Sequence, residues 1–408
     1  MKIAIIGGGA AGLTAALQAS KKLHEHIHID IYEQNSDVGK KILASGNGRC
    51  NISNTALGAE NFHGRDPHFV TPALKRFGFR EFERFAQRLG LLLEVKPDGR
   101  VYPLSNEARS VQEALRRGVI LRGVQIFTKK RVVGIERLGV GFLVRTQEDA
   151  GRYDRVLLAT GSPAAPQLGG SIDGIRLAES LGHRAVEPYP TLVGLHLAGR
   201  LHERIGGVKI PARLTLYVDG RSAKRTEGDL LFTKYGISGF AVLDISTEAS
   251  AYLSQRKGVV VGIHMLPDYD RQGVLSLLQK LSKASENLTV KELMQGVLPL
   301  KIVTELLKFA KVDPSVSAQS LDNKSLRRLA ATMTDWRFSV VRTHGFKHAE
   351  TAGGGVLTED VEPKTLESRI VPGLFFAGEV LDIVGQRGGY NLHWAWASGH
   401  LAGEGLVR

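Results

Sequence analysis

The sequence has one cysteine and no long apolar run, and each shortage excludes a class of protein. With Cys50 alone, the 408-residue chain can form neither an internal disulfide nor a metal site built from cysteines. This suits a reducing cytoplasm, where we expect the protein to reside. No stretch reaches the roughly 18 uncharged apolar residues that indicate a membrane span. The N-terminal segment resembles a signal peptide superficially, but the glycines inside its apolar part argue against one.

Charged residues are spread along the chain rather than concentrated. There are 54 Lys and Arg against 41 Asp and Glu, a formal net charge of +13. This excess favours anionic partners such as a diphosphate cofactor, an acidic substrate or nucleic acid. Because no block of about five or six like charges occurs, we interpret the excess as a diffusely basic surface. The thirteen histidines show no metal-ligand spacing, so we expect no metal.

A glycine-rich turn near the N-terminus separates a strand from a helix. Residues 2–6 form the apolar run of a buried parallel strand, a helical stretch extends to about Leu23, and IHIDIYE follows as a second strand. Between them, GGGAAG at 7–12 matches the dinucleotide fingerprint, which needs glycine for a tight turn, for access of a pyrophosphate and for close helix packing. Glu33, 21 residues after Gly12, can bind the adenosine ribose, which suits FAD or NAD over NADP.

Later segments support a bound dinucleotide, and the C-terminal one separates FAD from NAD. The loop at 39–51, GKKILASGNGRCN, is dense in small polar and basic residues, as is typical of a loop that wraps an anionic cofactor. One apolar strand ends at Thr160-Gly161, and a second ends at Gly378-Glu379, where the carboxylate can bind a ribitol hydroxyl. A helix that opens near Asn391 can direct its N-terminus at a flavin ring. NAD enzymes do not need this C-terminal arrangement, so the sequence predicts FAD.

The remaining pattern predicts an α/β protein with a Rossmann-like FAD-binding domain built from both ends of the chain, and with a β domain and a helical segment inserted between them. We assign 1–190 and 356–408 to the FAD-binding domain. Short β-segments with glycine turns place 191–265 in the β domain, to which we also assign 336–355, although residues 343–372 are rich in turns. Helical periodicity makes 266–335 a helical insertion.

Taken together, these segments resemble the bacterial YhiN/BaiN-like flavoproteins, in the glutathione reductase-type branch of flavoproteins with two dinucleotide-binding domains. The likeness rests on GKKILASGNGRCNISN, GRVYPLSNEA, EGDLLFTKYGISG, TAGGGV and GLFFAGEVLDIVGQRGGYNLHWAWASG. It implies an FAD-dependent oxidoreductase whose inserted domain is β-barrel-like and carries the helical segment. The cofactor contacts that fingerprint, segments and resemblance together predict are Gly7, Gly9, Ala10, Ala11, Gly12, Glu33, Lys41, Ser45, Gly46, Arg49, Cys50, Asn51, Thr160, Gly161, Gly378, Glu379 and Asn391.

This chain departs from the family pattern at several positions near the cofactor. Lys234 and Phe240 stand where His and Pro are usual, and His393 follows Asn391-Leu392 in place of Gln. Because family members reduce steroid-type or other unsaturated substrates or oxidise amines, the resemblance determines the cofactor better than the substrate.

Three polar residues are candidates for catalysis: His393, Tyr235 and Arg100. His393 can titrate near neutral pH, but it can equally be a satisfied helix residue, and Arg100 can simply organise the turn after Pro97-Asp98-Gly99. Cys50 lacks the partner that a disulfide relay needs, and we interpret it as a small residue packed near the cofactor.

Three functions remain compatible with the pattern. The leading hypothesis is an oxidoreductase that passes a hydride or an electron pair between FAD and a small organic substrate. No second fingerprint opens a helix after a strand, so a pyridine nucleotide, NAD(P)H, would bind only transiently. The alternatives are a flavin-dependent enzyme that modifies tRNA and a flavin-binding protein without turnover. The basic residues of the 269–330 helices can touch phosphates, but regular Leu and Val there favour a solvated helix face instead.

Overall fold

A computed structural model describes residues 1–22 and 27–408. The chain forms two compact units, Met1–Tyr189 with Thr351–Arg408, and Pro190–Glu350. The first contains a parallel sheet of the Rossmann type and the second a closed barrel. The predicted fold class is therefore confirmed. In the described ranges, no helix is both long and apolar enough to cross a bilayer.

The strands are β1 (Lys2–Ile6), β2 (His28–Tyr32), β3 (Ser53–Asn54), β4 (Phe62–His63), β5 (Leu93–Val95), β6 (Arg100–Pro103), β7 (Gln125–Phe127), β8 (Val132–Leu138), β9 (Gly141–Thr146), β10 (Ala150–Tyr153), β11 (Arg155–Leu158), β12 (Ala185–Thr191), β13 (Leu195–Leu197), β14 (Lys209–Val218), β15 (Arg221–Phe232), β16 (Gly236–Ser238), β17 (Val259–His264), β18 (Trp336–Thr343), β19 (Thr351–Val356), β20 (Leu374–Phe376) and β21 (Val384–Gly385). The helices are α1 (Ala10–Ala19), α2 (Lys40–Ala44), α3 (Thr71–Arg76), α4 (Phe79–Arg88), α5 (Ala108–Ile120), α6 (Asp173–Ser180), α7 (Leu201–Arg204), α8 (Phe240–Ser254), α9 (Arg271–Ala284), α10 (Val290–Gln295), α11 (Leu300–Phe309), α12 (Asn323–Thr334) and α13 (Tyr390–Gly405).

The main sheet of the first unit has the order β20-β11-β1-β2-β7, and all its pairs are parallel. Its central strands are apolar on both faces and fully buried, as at Ile3, Ile5 and Leu157, which is what a parallel sheet covered on both sides requires. Because the strands are parallel, the segments that follow β1, β11 and β20 all leave the sheet at the carboxyl ends of its strands, which we call the sheet edge. Ligands bind at this end of the strands in such folds.

Helices α1 and α13 cross closely because small residues face each other. A Cβ atom on Gly399 would lie 2.3 Å from the carbonyl oxygen of Ala11, and one on Gly403 would lie 2.6 Å from that of Ala15. The two helices therefore touch through backbone. This contact fixes the last helix of the chain against the helix of the glycine fingerprint.

The second unit is a closed barrel of order β13-β16-β15-β14-β17-β18 with helices packed on its core. Strand β14 alternates in burial, with Ile210, Ala212, Leu214 and Leu216 inside. The helices α9 to α12 form amphipathic elements whose apolar side chains join the same core. The predicted switch from strands to helices after residue 265 corresponds to this arrangement.

Two elements differ from the sequence prediction. Helix α8 lies within 191–265, a range interpreted as strands. It buries Ser246, Thr247 and Ser250 as well as Val242 and Ile245, so its apolar residues do not recur on one face and its sequence shows little helical periodicity. Strand β19, in a segment predicted to be turns, pairs with β12 and belongs to the first unit. The observed boundary thus falls at residue 350 rather than 355, and we retain the three-part division as a proposal. Helix α1 ends at Ala19, while Leu23 lies outside the described residues.

We predict that Gly399→Val destabilises the protein by overpacking the α1–α13 contact, by about 1–3 kcal/mol or more. The thermal unfolding temperature should fall by several degrees. Gly134→Val is the matched control, because the nearest atom to a Cβ there lies 3.8 Å away. Equal melting temperatures for the two variants would show that the helices are not in backbone contact.

Candidate functional site

The glycine fingerprint follows β1 and forms a turn that only glycine can make. Gly7 has a φ of 110°, and a Cβ there would lie 2.3 Å from the Ala159 carbonyl oxygen at the end of β11. At Gly12 a Cβ would lie 2.0 Å from the Gly7 carbonyl oxygen. Both positions thus serve close backbone packing, at the points where the fingerprint requires it.

Two other glycines of this edge face open space. Apart from the glycine itself and its two chain neighbours, no described atom lies within 4 Å of a Cβ built on Gly9, which caps α1, or on Gly161, which follows β11 with a φ of 75°. The N–H groups at the start of α1 and its positive dipole end border the space at Gly9. This space can accept a pyrophosphate.

Glu33, at the end of β2, is buried and holds the glycine turn. One carboxylate oxygen accepts a hydrogen bond from the Gly8 N–H at 2.9 Å, and the other accepts from the Asn35 N–H at 2.8 Å. The Asn35 side-chain Nδ2 also donates to Oε1, at 2.8 Å, so only Oε2 retains a further lone pair. The carboxylate therefore both organises the turn and remains available to a ribose hydroxyl.

Two buried oxygens at the sheet edge lack partners. Lys41 forms an ion pair with one oxygen of Glu379 at 2.7 Å, whereas Oε1 of Glu379 has no hydrogen-bond partner among the described residues. Oγ1 of Thr160 is likewise buried and unpartnered in the described chain. Since buried polar groups are nearly always satisfied, these atoms fit a polyhydroxylated ligand. The residues present therefore fit FAD.

The loop after α2 folds back on itself. Ser45 Oγ donates to the Ile42 carbonyl at 2.6 Å, and the Cys50 N–H donates to the Ser45 carbonyl at 2.9 Å. Gly46 and Cys50 adopt φ values of 58° and 59°. Burial raises the pKa of the Cys50 thiol to about 11, so it remains protonated and is a poor nucleophile. This agrees with the packing role interpreted from the sequence.

Two asparagine side chains bind the backbone around the start of helix α13. The Asn391 amide accepts from the Gly385 N–H and donates to the Gly385 carbonyl, both at 2.7 Å. The Asn51 amide nitrogen donates to the Ser53 carbonyl at 3.1 Å, and its amide oxygen accepts from the Gly389 N–H at 3.2 Å. Both side chains thus position the backbone at the N-terminus of α13. A direct cofactor contact by either side chain stays a prediction.

His393 does not have the environment expected of a catalytic histidine. It is 0% exposed. Its Nε2 donates to the Phe77 carbonyl at 3.0 Å, and its Nδ1 accepts from Ser53 Oγ at 2.8 Å. Burial lowers its pKa to about 4. With both nitrogens engaged and no access, His393 is a satisfied core residue, the alternative that the sequence left open.

Tyr235 lies in the second unit within a stack of imidazole rings. Its ring centroid is 3.8 Å from that of His344 and 4.8 Å from that of His196, and His348 stacks on His344 at 4.1 Å. His196 Nε2 and His344 Nδ1 share a hydrogen bond of 2.8 Å. No group of three or more potential metal ligands occurs among residues 1–22 and 27–408. The sequence contained no periodic signal for this cluster, because its members come from three separate segments.

Arg100 lies in the first unit on the wall of a groove of about 460 Å³. Its guanidinium pairs with Asp98 at 2.7 Å. Arg49 lies 5.7 Å from the centre of the Tyr102 ring on the same wall. The groove is lined by Arg49, Glu94, Lys96, Pro97, Asp98, Arg100, Tyr102 and Asn106.

Sequence reasoning missed two residues that hold the Gly378 turn. Ser398 Oγ accepts from the Gly378 N–H at 2.9 Å, and Trp394 Nε1 donates to the Gly378 carbonyl at 3.2 Å. Both lie on α13, and Gly378 itself packs against Ala11. The small residues of α13 were the available signal, because they indicate a helix in close contact with another backbone.

Comparisons with known proteins cover nearly the whole chain. A family model described as "HI0933-like protein Rossmann domain" matches residues 1–405. The chain is 36% identical to a 3-dehydro-bile acid delta(4,6)-reductase of Clostridium scindens, over 99% of this chain and 98% of that protein. It is 31% identical to a ribosomal RNA dihydrouridine synthase of Escherichia coli, over 99% and 97% of the two chains.

Among solved structures, a 3-ketosteroid Δ1-dehydrogenase from Sterolibacterium denitrificans aligns with a TM-score of 0.51, at 12% identity and over 99% of both chains. A 3-ketosteroid Δ4-(5α)-dehydrogenase from Rhodococcus jostii aligns with a TM-score of 0.50, at 15% identity, over 100% of this chain and 96% of that one. These likenesses establish a shared fold.

The burial of His393 predicts how stability changes with pH. The unfolded chain takes up a proton on this residue below its ordinary pKa of 6.5, whereas the folded protein does so only near 4. Because the unfolded state then binds more protons, stability falls as the pH drops through this window. Between neutral pH and a pH below 4, this difference in pKa lowers the free energy of unfolding by roughly 3 kcal/mol.

Urea unfolding at a series of pH values measures this effect. His393→Gln should be less stable than the wild type at neutral pH, and its stability should depend less steeply on pH between 6.5 and 4. His68→Gln, on the surface, is the control and should retain the wild-type slope. A wild-type slope in His393→Gln would contradict the assignment.

Proposed function

The chain belongs to the HI0933-like family of Rossmann-domain proteins, which confirms the predicted resemblance, and from this membership we propose an FAD-dependent oxidoreductase. We further propose that it reduces a carbon–carbon double bond conjugated to a carbonyl group. The observation that carries the cofactor assignment is the sheet edge, where open space at Gly9 adjoins segments that bear the unpartnered oxygens of Thr160 and Glu379.

Each predicted contact has a distinct part in binding FAD. The N–H groups at the start of α1 would bind the pyrophosphate, with Gly9 leaving the necessary room. Glu33 would accept hydrogen bonds from the adenosine ribose, and Glu379, paired with Lys41, would accept from the ribitol chain. The N-terminus of α13, held by Asn51 and Asn391, would face the isoalloxazine ring. When bound, FAD would supply a hydride or an electron pair.

The substrate proposal comes from the chemistry shared by the relatives' names. A 3-dehydro-bile acid with delta(4,6) unsaturation carries double bonds in conjugation with a ketone. Dihydrouridine is uridine that has lost the ring double bond next to a carbonyl. In both reactions a polarised double bond gains two hydrogens. The leading substrate is a small organic molecule of this type, with electrons from NADH or NADPH.

A second candidate is reduction of a uracil ring in RNA. It is favoured by two relatives named ribosomal RNA dihydrouridine synthase, at 31% and 30% identity over 99% of the chain. It requires the same cofactor and the same kind of double bond. The two candidates differ only in the molecule that carries the reducible double bond, which is a small organic substrate in the first and an RNA chain in the second. Tyr235 and Arg100 remain proposals as catalytic residues for either.

We predict that Gly9→Val abolishes FAD binding without unfolding the protein. The new side chain meets no atom of the described chain within 4 Å of its Cβ, so its methyl groups would occupy the space needed by the pyrophosphate. The measurement is the ratio of flavin absorbance to protein after purification with excess FAD. Gly134→Val is the control and should bind FAD fully. A Gly9→Val protein that retains one FAD per chain would refute this placement.

We predict that the reduced protein returns electrons to a conjugated double bond in the absence of oxygen. FAD-loaded protein is reduced anaerobically with NADH, NADPH or, independently of the natural donor, dithionite. A 3-oxo-delta(4,6) steroid acid should then restore the flavin absorbance, and mass spectrometry should show two added hydrogens. The saturated steroid acid is the control. If neither this acid nor a uridine oligonucleotide reoxidises the flavin, the proposed reaction is wrong.

A further inference from the structure

The helical segment of the second unit, residues 271–334, has a basic surface. It contains ten Lys and Arg residues against five Asp and Glu. All ten basic side chains are exposed, and within this fully described segment none of them forms an ion pair. The sequence suggested a solvated helix face. The absence of an ion-pair contact at every one of these residues is a stronger observation, because surface cations elsewhere in the chain commonly pair with carboxylates. Nearby carboxylates act on three of them without contact: Asp322 on Lys324 and Arg328, and Glu292 on Lys291.

Four of the five carboxylates of the segment accept contacts from other groups, and the fifth, Glu286, is exposed. Glu305 is nearly buried and pairs with Arg204, outside the segment, at 3.1 Å. Glu292, Asp313 and Asp322 accept hydrogen bonds from nearby backbone and hydroxyl groups, as at the Ser325 N–H, 2.7 Å from Asp322. These contacts begin helices and turns. The basic side chains therefore face solvent without a carboxylate in ion-pair contact.

Part of this surface is contiguous and includes an exposed ring. Lys308 and Phe309 end α11, Lys311 follows in the turn, and Arg328 of α12 lies with Nη2 3.5 Å from the Lys311 carbonyl oxygen. Phe309 is 55% exposed, with its ring centroid 5.5 Å from that of the buried Trp336. We call Lys308, Phe309, Lys311, Lys324, Arg327 and Arg328 the α11–α12 patch.

We propose that the α11–α12 patch docks RNA. Unpaired cations beside an exposed aromatic ring are what single-stranded nucleic acid requires, since the cations neutralise phosphates and the ring stacks on a base. An anionic membrane fits less well, because it needs an apolar helix face, and the apolar faces of α11 and α12 are buried in the core at Ile302, Leu306 and Leu329. Two relatives named for ribosomal RNA match over 99% of the chain, this segment included.

This inference goes beyond the proposed reaction and does not require it, because docking involves neither the cofactor nor a reducible base. It can therefore be tested with oxidised full-length protein. The probe is a fluorescent, unpaired, uridine-rich RNA oligonucleotide, and anisotropy gives its dissociation constant over a range of KCl concentrations. The logarithm of affinity should fall linearly with the logarithm of salt concentration.

The charge variant is Lys308→Gln with Lys311→Gln and Arg328→Gln. Its affinity should fall at least about 10-fold at low salt, and the slope should decrease by roughly 2, since each contact to a single strand contributes about 0.7. The matched control is Lys75→Gln with Arg80→Gln and Arg109→Gln, three exposed basic residues of the first unit. It removes the same net charge and should bind almost as the wild type does.

The ring variant is Phe309→Ala, which should weaken binding by about 5-fold to 100-fold by loss of base stacking, with an unchanged salt slope. Phe309→Leu retains packing on Trp336 and should show the same loss, which separates stacking from folding. Absence of binding by the wild type, an equal loss in the control triple, or binding of phosphatidylserine vesicles but not RNA would overturn the proposal. Flavin content is measured on each sample, so colourless protein that binds RNA would refute only the FAD assignment.

Discussion

The first unit depends on backbone touching backbone. Gly7 and Gly12 bring β1, β11 and α1 within distances that no side chain permits, and Gly399 brings α13 onto α1 in the same way. These contacts place the ends of three parallel strands and the N-termini of two helices around one edge. Any polar chemistry at that edge rests on this close packing, because a displacement of α13 would also release the Gly378 turn that Ser398 holds.

Such packing explains why part of the site could be predicted from sequence. Gly7, Gly9 and Gly12 lie at fixed offsets because a turn, a ligand and a helix each demand glycine there. Glu33 and Glu379 follow strands, and parallel strands bring their ends together whatever the rest of the fold does. Local sequence thus encodes this geometry directly.

Other features depend on tertiary context that no local pattern shows. His393 looks like a titratable residue on a helix, yet Phe77 and Ser53, both distant in sequence, bury and satisfy it. Helix α8 buries small polar side chains such as Ser246 and Thr247 along with its apolar ones, so it lacks the one-sided pattern that identifies surface helices. The stack around Tyr235 joins side chains from three segments. Each of these depends on which segments meet in space.

Strand β20 is the last strand of the parallel sheet in chain order and α13 the last helix of the first unit, whereas β1 and α1 are its first elements. During synthesis, the ribosome must make the entire second unit before β20 can pair with β11 or α13 can reach α1. A ligand that needs both Gly9 and Glu379 consequently cannot bind the growing chain. The nascent first unit must instead persist without β20, α13 and any bound ligand. In this interval it is most exposed to proteases and chaperones.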